Sequence, residues 1–259
     1  GNKSEAKRTM KAAGIPVVPG TDFPVYEEEE ALAKAKEIGF PIMIKASAGG
    51  GGKGMRLAWE EQEFPAKFRE AQQEAENAFA DHAMYLERYI QFPRHIEVQI
   101  MADRHGNVIH LGERDCSIQR RHQKMIEESP CAFITGETRR KLWETALKAS
   151  HAVGYENAGT LEFLLDQSGE FFFMEMNTRI QVEHPVSELV SGVDLIREQL
   201  RVAAGLPLSV KQEDIRFRGH AVECRINAEE PLHNFMPCPG MIKKMHLPGG
   251  NGIRTDTAI

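Results

Sequence analysis

Apolar positions along the chain fall in short runs punctuated by glycine and proline, and their period changes several times. Residues 4–13 predict a short helix ended by Gly14, after which Pro16 and Pro19 hold the chain extended. The run EEEEALAKAKEIG (27–39) predicts a helix, with acidic residues at its positive dipole end and Gly39 available for the left-handed C′ position. Residues 40–46 read as a strand, 49–54 as a glycine loop and 55–59 as a second strand; a helix follows through about Ala80, then a short strand over 83–90. In HIEVQIMA (95–102) Ile96, Val98 and Ile100 share one face; DRHGN (103–107) is a turn, and 108–113 returns as the hairpin partner. A helix over 137–153 stops at Gly154, a strand hairpin covers 159–177, a helix covers 194–204, and a strand begins over 222–228. Hairpins outnumber βαβ crossovers, so the fold class is α+β with mixed or antiparallel sheets.

Composition narrows the function. With 41% hydrophobic and 27% charged residues over 259 positions, the chain has the balance of a globular protein that buries a sizeable core. No apolar stretch approaches the roughly 18 residues of a membrane span, and the N-terminus GNKSEAKRTM carries no signal-peptide core. That start also lacks an initiator Met and reads as an excised fragment. A formal net charge of −6 argues against a general nucleic-acid binder while leaving room for local basic clusters. The four cysteines, Cys116, Cys131, Cys224 and Cys238, form no C-x-x-C and read as reduced thiols of a cytoplasmic-type compartment.

Lys45-Ala-Ser-Ala-Gly-Gly-Gly-Gly-Lys-Gly-Met55 exposes backbone N–H groups of the kind that bind anions. It is not a Walker A loop, because Gly54 and Met55 follow Lys53 where Ser or Thr is needed. Nor does it open into a helix, as a dinucleotide fingerprint does. Two readings stand: a flap over phosphates, which Lys45 on the incoming strand favours, and a mobile surface hairpin.

The most informative geometry lies in 160–177. Taking Ser168-Gly169 as a two-residue turn pairs Glu162 with Glu175 and Thr160 with Asn177, all on one face of the ribbon. Two carboxylates directly opposite weaken a sheet, so something positive compensates. A divalent cation suits two carboxylates and an amide; the alternative is a solvated acidic face or a salt bridge, which the apolar neighbours Leu161, Phe163, Phe171 and Phe173 disfavour. Beyond the hairpin, Glu175, Asn177, Arg179, Gln181 and Glu183 alternate with apolar or neutral residues. Straight, Glu175 to Glu183 would span about 26 Å at a strand's rise, so a bend within 177–183 is required for both ends to serve one centre. An amphipathic edge strand is the plainer reading.

The segment Arg114–Lys124 (RDCSIQRRHQK) is suited to surrounding a small anion, or equally forms a surface charge run paired with Glu127 and Glu128. Arg225, read as mid-strand and flanked by apolar residues, requires a ligand or a buried partner. His95, His122 and His184 lack metal-ligand spacing, and Cys116 reads as structural.

KASAGGGGKGMR, MYLERYIQFPRHIEVQI, ERDCSIQRRHQK, AGTLEFL, FMEMNTRIQVEHPVSE and RGHAVECRINAE together resemble the ATP-grasp domain of biotin carboxylase, the ATP-dependent component of acyl-CoA and pyruvate carboxylases, over essentially the whole chain. The resemblance implies an ATP-grasp fold with a mobile glycine-rich lid, divided as 1–18 entry helix and linker, 19–90 lid subdomain, 91–221 core subdomain and 222–259 the truncated start of the C-terminal region. It implies that Lys3 and Lys45 contact ATP phosphates, that Gly51 and Gly52 belong to the flap, and that Glu87, Arg88, Tyr89 and Ile90 hold adenine. His95, Gln119 and His122 also fall at the nucleotide. Glu162, Glu175 and Asn177 match ligands of Mg²⁺ or Mn²⁺, with two ions implied.

Lys124, Arg179, Gln181 and Val182 match the bicarbonate pocket, Glu183 matches the base that deprotonates bicarbonate, and Arg225 matches the arginine beside the biotin ureido oxygen. The implied substrate is biotin on a carrier protein or domain, since no A-M-K-M-type site occurs here. The implied partners are that carrier, a carboxyltransferase and, at full length, a second copy in a homodimer, in the cytoplasm or in the mitochondrial matrix of a eukaryote. The resemblance also implies a preceding Rossmann-like domain and a C-terminal continuation. Two other readings remain: another ATP-grasp ligase forming an acyl phosphate, such as half of a carbamoyl-phosphate synthase, and a catalytically silent nucleotide-binding module.

Overall fold

The computed structural model describes residues 3–47, 54–121 and 123–258, Lys3 and Ser4 by backbone alone. Contacts divide the chain into a unit ending at Cys224 and a smaller one, Arg225–Ile259.

The first unit opens with α1 (Lys3–Ala12) and α2 (Glu28–Ile38). In α2 the acidic first turn complements the helix dipole, and Ala31 and Ala35, one turn apart, are buried. Gly39 takes a positive φ of 92° with an extended ψ of 134°, so it leaves the helix without entering the left-handed well. β1 (Ile42–Ala46), β2 (Met55–Ala58) and, after α3 (Phe64–Phe79), β3 (Met84–Arg88) form a three-stranded sheet in the order β2-β1-β3. β1 and β2 are antiparallel, as expected of strands flanking the glycine loop, with Lys45 opposite Met55. Ile42, Ile44, Phe64, Phe68, Met84 and Leu86 make a core of their own there.

The larger sheet has six antiparallel strands in the order β8-β7-β4-β5-β6-β9. They are β4 (Arg94–Ala102), β5 (Val108–Arg120), β6 (Gln123–Ser129), β7 (Asn157–Leu165), β8 (Phe171–Asn177) and β9 (Ala221–Cys224). Ile96, Val98 and Ile100 do share a buried face, packing with Leu161, Phe163 and Leu142 of α4 (Gly136–Ala152). Thr135 starts α4 by accepting from the Thr138 N–H at 3.1 Å. On the opposite face of the sheet lie α5 (His184–Ser191) and α6 (Leu195–Ala203), which Asp194 caps.

Four sequence expectations change. The segment 114–124 does not begin as a surface charge run: Arg114–Arg120 complete β5 and Gln123–Lys124 open β6, and Arg114 and Asp115 are buried. The alternation after Asn177 does not continue as an edge strand; the chain turns at 182–183 and enters α5, with Pro185 in its first turn, so the expected bend is present. The strand over 222–228 ends at Cys224, which removes Arg225 from mid-strand. Finally, the 159–177 hairpin turns one residue wider than Ser168-Gly169. Asp166 pairs with Glu170, its Oδ1 accepting from the Ser168 and Glu170 N–H groups, while Gly169 takes φ 89°. Leu165 therefore faces Phe171 and Phe163 faces Phe173, and an extra residue, Met174, restores the expected pairs Glu162↔Glu175 and Thr160↔Asn177. The bulge exchanges faces: Phe173 joins the core beside Phe163, although strict alternation would put it beside Glu175.

In the second unit β10 (Glu229–Glu230) pairs with β11 (Met236–Pro237), separated by a single 3₁₀ turn.

Candidate active site

The face of the large sheet opposite the α4 core is polar yet buried. Glu97 and Gln99 are the alternate positions of β4, and both are fully buried. Neighbouring strands add Arg114, Lys124, Thr160, Glu162 and Asn177, and the turn into α5 adds Gln181 and Glu183.

Lys124 organises the carboxylates. Its Nζ donates to Glu162 Oε1 at 2.9 Å, to Glu183 Oε1 at 2.7 Å and to Glu97 Oε2, using all three ammonium donors. Glu162 Oε1 also accepts from Asn177 Nδ2 at 2.8 Å and Gln181 Nε2 at 3.0 Å. Its Oε2 lies 3.1 Å from His95 Nε2, while His95 Nδ1 faces Gln119 Nε2 at 3.0 Å. An amide nitrogen only donates, so Nδ1 accepts and the proton sits on Nε2, toward Glu162.

Burial works to raise the Glu162 pKa, but His95 and Lys124 together hold it at about 2. Burial likewise works against Glu97 ionising, and the Arg114 and Lys124 charges still keep its pKa below the ordinary range. Burial would strip the Lys124 proton, and the surrounding carboxylates instead hold it on more firmly than usual. Cys116, buried beside them, has its thiol pKa pushed well up by burial, as suits a structural residue.

A divalent cation fits this donor set. Glu162 and Glu175 stand directly opposite across the hairpin, with Asn177 two residues on. Asn177 commits its amide nitrogen to Glu162, which leaves its carbonyl oxygen as an acceptor. Two carboxylates and an amide carbonyl are hard oxygen ligands of the kind that match Mg²⁺ or Mn²⁺.

A second group lies on the small sheet. Lys45 and Lys7 both bond the Glu87 carboxylate, Lys7 at 2.9 Å, and their charges outweigh burial to lower its pKa. Arg88 and Tyr89 follow, their N–H groups donating to Pro19 O and Pro41 O, and Ile90 is buried with Val18 and Phe172.

Among the expected site residues, the structure brings together His95, Gln119, Lys124, Glu162, Asn177, Gln181 and Glu183, with Glu175 in register. Lys45 and Glu87 meet each other. Arg179 and Val182 are exposed; the Arg179 guanidinium bonds the Ile180 carbonyl at 3.1 Å. Arg225 belongs to the second unit. The Lys3 side chain, Gly51, Gly52 and His122 lie outside the described residues. Sequence reasoning missed Glu97, Gln99, Arg114 and Ser187. The first two were visible as the polar half of HIEVQIMA, whereas nothing local marked Arg114 as the buried arginine of a basic segment.

Comparison with known proteins identifies the family. Residues 2–211 match the family described as carbamoyl-phosphate synthase L chain, ATP binding domain, and 223–259 match the biotin carboxylase C-terminal domain. The chain is 56% identical over 259 residues to the biotin carboxylase of Nostoc sp., covering all of this chain and 58% of that protein. A biotin carboxylase–β,γ-ATP complex from Campylobacter jejuni superposes with a TM-score of 0.85 at 54% identity, over 97% of this chain and 56% of that one. The biotin carboxylase domain dimer of Hydrogenobacter thermophilus 2-oxoglutarate carboxylase, solved with MgADP, ADP and bicarbonate, gives 0.85 at 51% identity, over 98% and 56%. The chain thus spans little more than half the length of these relatives. Both family matches and an identity above half along every residue place the chain in the biotin carboxylase family of ATP-grasp proteins.

Proposed function

We propose that the protein containing this chain carboxylates biotin on a carrier protein, using ATP and bicarbonate. The observation that carries the reading is Lys124, whose ammonium joins Glu162 of the cation site to Glu183 at the start of α5. Lys124, Gln181, Arg179 and Val182 hold bicarbonate, and Glu183 removes its proton. The anion then attacks the γ-phosphorus of ATP in line, ADP leaves, and carboxyphosphate forms. Glu162, Glu175 and Asn177 would hold Mg²⁺ or Mn²⁺, two ions in all, and the bound cations would neutralise charge on the phosphates. Lys45, kept in place by Glu87, meets the phosphates together with Lys3; residues 87–90, His95, Gln119 and His122 hold the rest of the nucleotide. Carboxyphosphate releases CO₂ and phosphate, phosphate takes the N1′ proton of biotin, and Arg225 stabilises the resulting anion as it captures CO₂.

In this reading residues 1–18 are the entry segment, 19–90 a lid, 91–221 the catalytic core and 222–259 the start of the C-terminal region. The partners are a biotin carrier, a carboxyltransferase and a second copy of the full-length chain. No helix among the described residues is long and apolar enough to cross a membrane. The four cysteines are free thiols, in keeping with the reducing, cytoplasm-like setting of this reading.

The larger family match, described by carbamoyl-phosphate synthase, favours one alternative, an ATP-grasp ligase acting on ammonia. Steady-state ATP hydrolysis by the full-length protein separates the two. Bicarbonate-dependent turnover stimulated by free biotin is expected; ammonia-dependent turnover, or ATP binding without turnover, overturns the reading.

A further inference from the structure

Arg114 is fully buried and bulkier than the other side chains buried to that degree among the described residues. A guanidinium carries five N–H donors, and here each has an acceptor. Nε donates to Glu97 Oε1 at 2.5 Å; Nη1 donates to Gln99 Oε1 at 2.7 Å and Ser187 Oγ at 2.9 Å; Nη2 donates to Thr160 Oγ1 and Gln181 Oε1, both at 3.2 Å. With no donor left over, Arg114 is not a ligand-binding arginine. Its acceptors come from two strands, from the turn after β8 and from α5, so it fastens the segment carrying Gln181 and Glu183 onto the sheet.

Gln181 shows the consequence. Its carboxamide has an oxygen and a nitrogen side of nearly equal shape, and only the hydrogen-bond network decides between them. Turned over, its NH₂ would meet the donors of Arg114, while its oxygen would meet the Glu162 carboxylate. The guanidinium therefore fixes the oxygen inward and aims Nε2 at the Glu162–Lys124 side, where it donates to Glu162 Oε1 at 3.0 Å.

We propose that Arg114 is a positioning residue for the anion pocket, acting by locking the Gln181 carboxamide in the orientation that aims its Nε2 at Glu162. The inference rests on the bicarbonate reading of that pocket. Its test is a double-mutant cycle in the full-length protein, read as separate KM values for bicarbonate and ATP. Arg114→Lys keeps the charge beside Glu97 but lacks donors for both Gln181 and Ser187. It is expected to raise the bicarbonate KM about tenfold, the scale of one lost hydrogen bond to a charged group, with the ATP KM within about twofold. Gln181→Met is expected to do the same, and the double variant to match Gln181→Met within about twofold, because the lysine then has nothing left to disorient.

Multiplicative effects in the double variant, or equal rises in both KM values for Arg114→Lys, overturn the proposal alone. An unchanged bicarbonate KM in Gln181→Met overturns the pocket reading and the proposal with it. Should Arg114→Lys fail to fold, Thr160→Val and Ser187→Ala each remove one acceptor and leave the ion pair to Glu97. Together they are expected to raise the bicarbonate KM about threefold or more, on the scale of neutral hydrogen bonds, without moving the ATP KM. No change, or equal change in both, again overturns the proposal.

Discussion

Lys124 Nζ and Glu183 Oε1 lie 2.7 Å apart, joining the start of β6 in the large sheet to the N-cap of α5. The same ammonium contacts Glu162, so a carboxylate of the β7–β8 hairpin and one at the start of a helix share one positive charge. The pair is inaccessible enough, Glu183 being 2% exposed, that water does little to screen it. In the proposed reaction, bicarbonate entering beside Lys124 would meet a cation and a carboxylate already held within hydrogen-bond reach of each other.

Glu183→Gln keeps the shape of that side chain and removes its basicity. In the full-length protein bicarbonate-dependent ATP hydrolysis is expected to fall about a hundredfold or more, the scale of a lost general base, with nucleotide affinity near normal. Steady-state rates alongside calorimetric titration with ATP check it. Equal loss of both contradicts the role as base.

Glu175→Gln weakens the cation site from the opposite side of the hairpin. Apparent affinity for Mg-ATP is expected to drop about tenfold or more, the range typical of damaged metal sites, with a matching rise in the magnesium needed for turnover. An unchanged magnesium titration counts against the assignment of Glu175.

Glu162 ties stability to acid. Its pKa falls from an ordinary 4.5 to about 2 on folding, so its contribution is complete above pH 4.5 and is lost as pH falls toward 2. The shift corresponds to about 3 kcal/mol. Urea unfolding of the wild type and Glu162→Gln across this range should show a stability difference at neutral pH that shrinks between pH 4.5 and 2. A constant difference would remove the link.

A second acid-sensitive point lies away from the site. His110, 6% exposed, stacks on Trp143 with ring centroids 4.4 Å apart and on Phe217 at 5.9 Å. Burial lowers its pKa from 6.5 to about 4. The neutral ring's contribution is present above pH 6.5 and lost as pH falls through about 4, up to about 3 kcal/mol. His110→Phe keeps a ring in the stack and should flatten the unfolding free energy over that window; an unaltered pH slope would contradict the buried neutral state.

The facing of Glu162 and Glu175 was legible because period-two alternation and the family motif both point to it. Its path was not. The hairpin closes on Asp166 and Glu170, and Met174 bulges out, so a wider turn and an extra residue cancel where the carboxylates meet. A bulge chosen by burying Phe173 against Phe163 leaves no local signature. The cluster around Arg114 was hidden for a related reason: charge runs read as surface unless the partners are known, and Glu97, Gln99 and Ser187 are distant in sequence. The helix at 184–191 was obscured by polar–apolar alternation that ends where Glu183 takes the N-cap position and Pro185 enters the first turn.

The cation site can be seen directly. Crystals grown with manganese and a non-hydrolysable ATP analogue, measured at the manganese absorption edge, should show an anomalous peak in contact with carboxylate oxygens of both Glu162 and Glu175 and with the Asn177 carbonyl oxygen. A map with no peak between those side chains while the analogue is bound, or with the three turned toward separate surroundings, contradicts the hairpin as the anchor of the triphosphate.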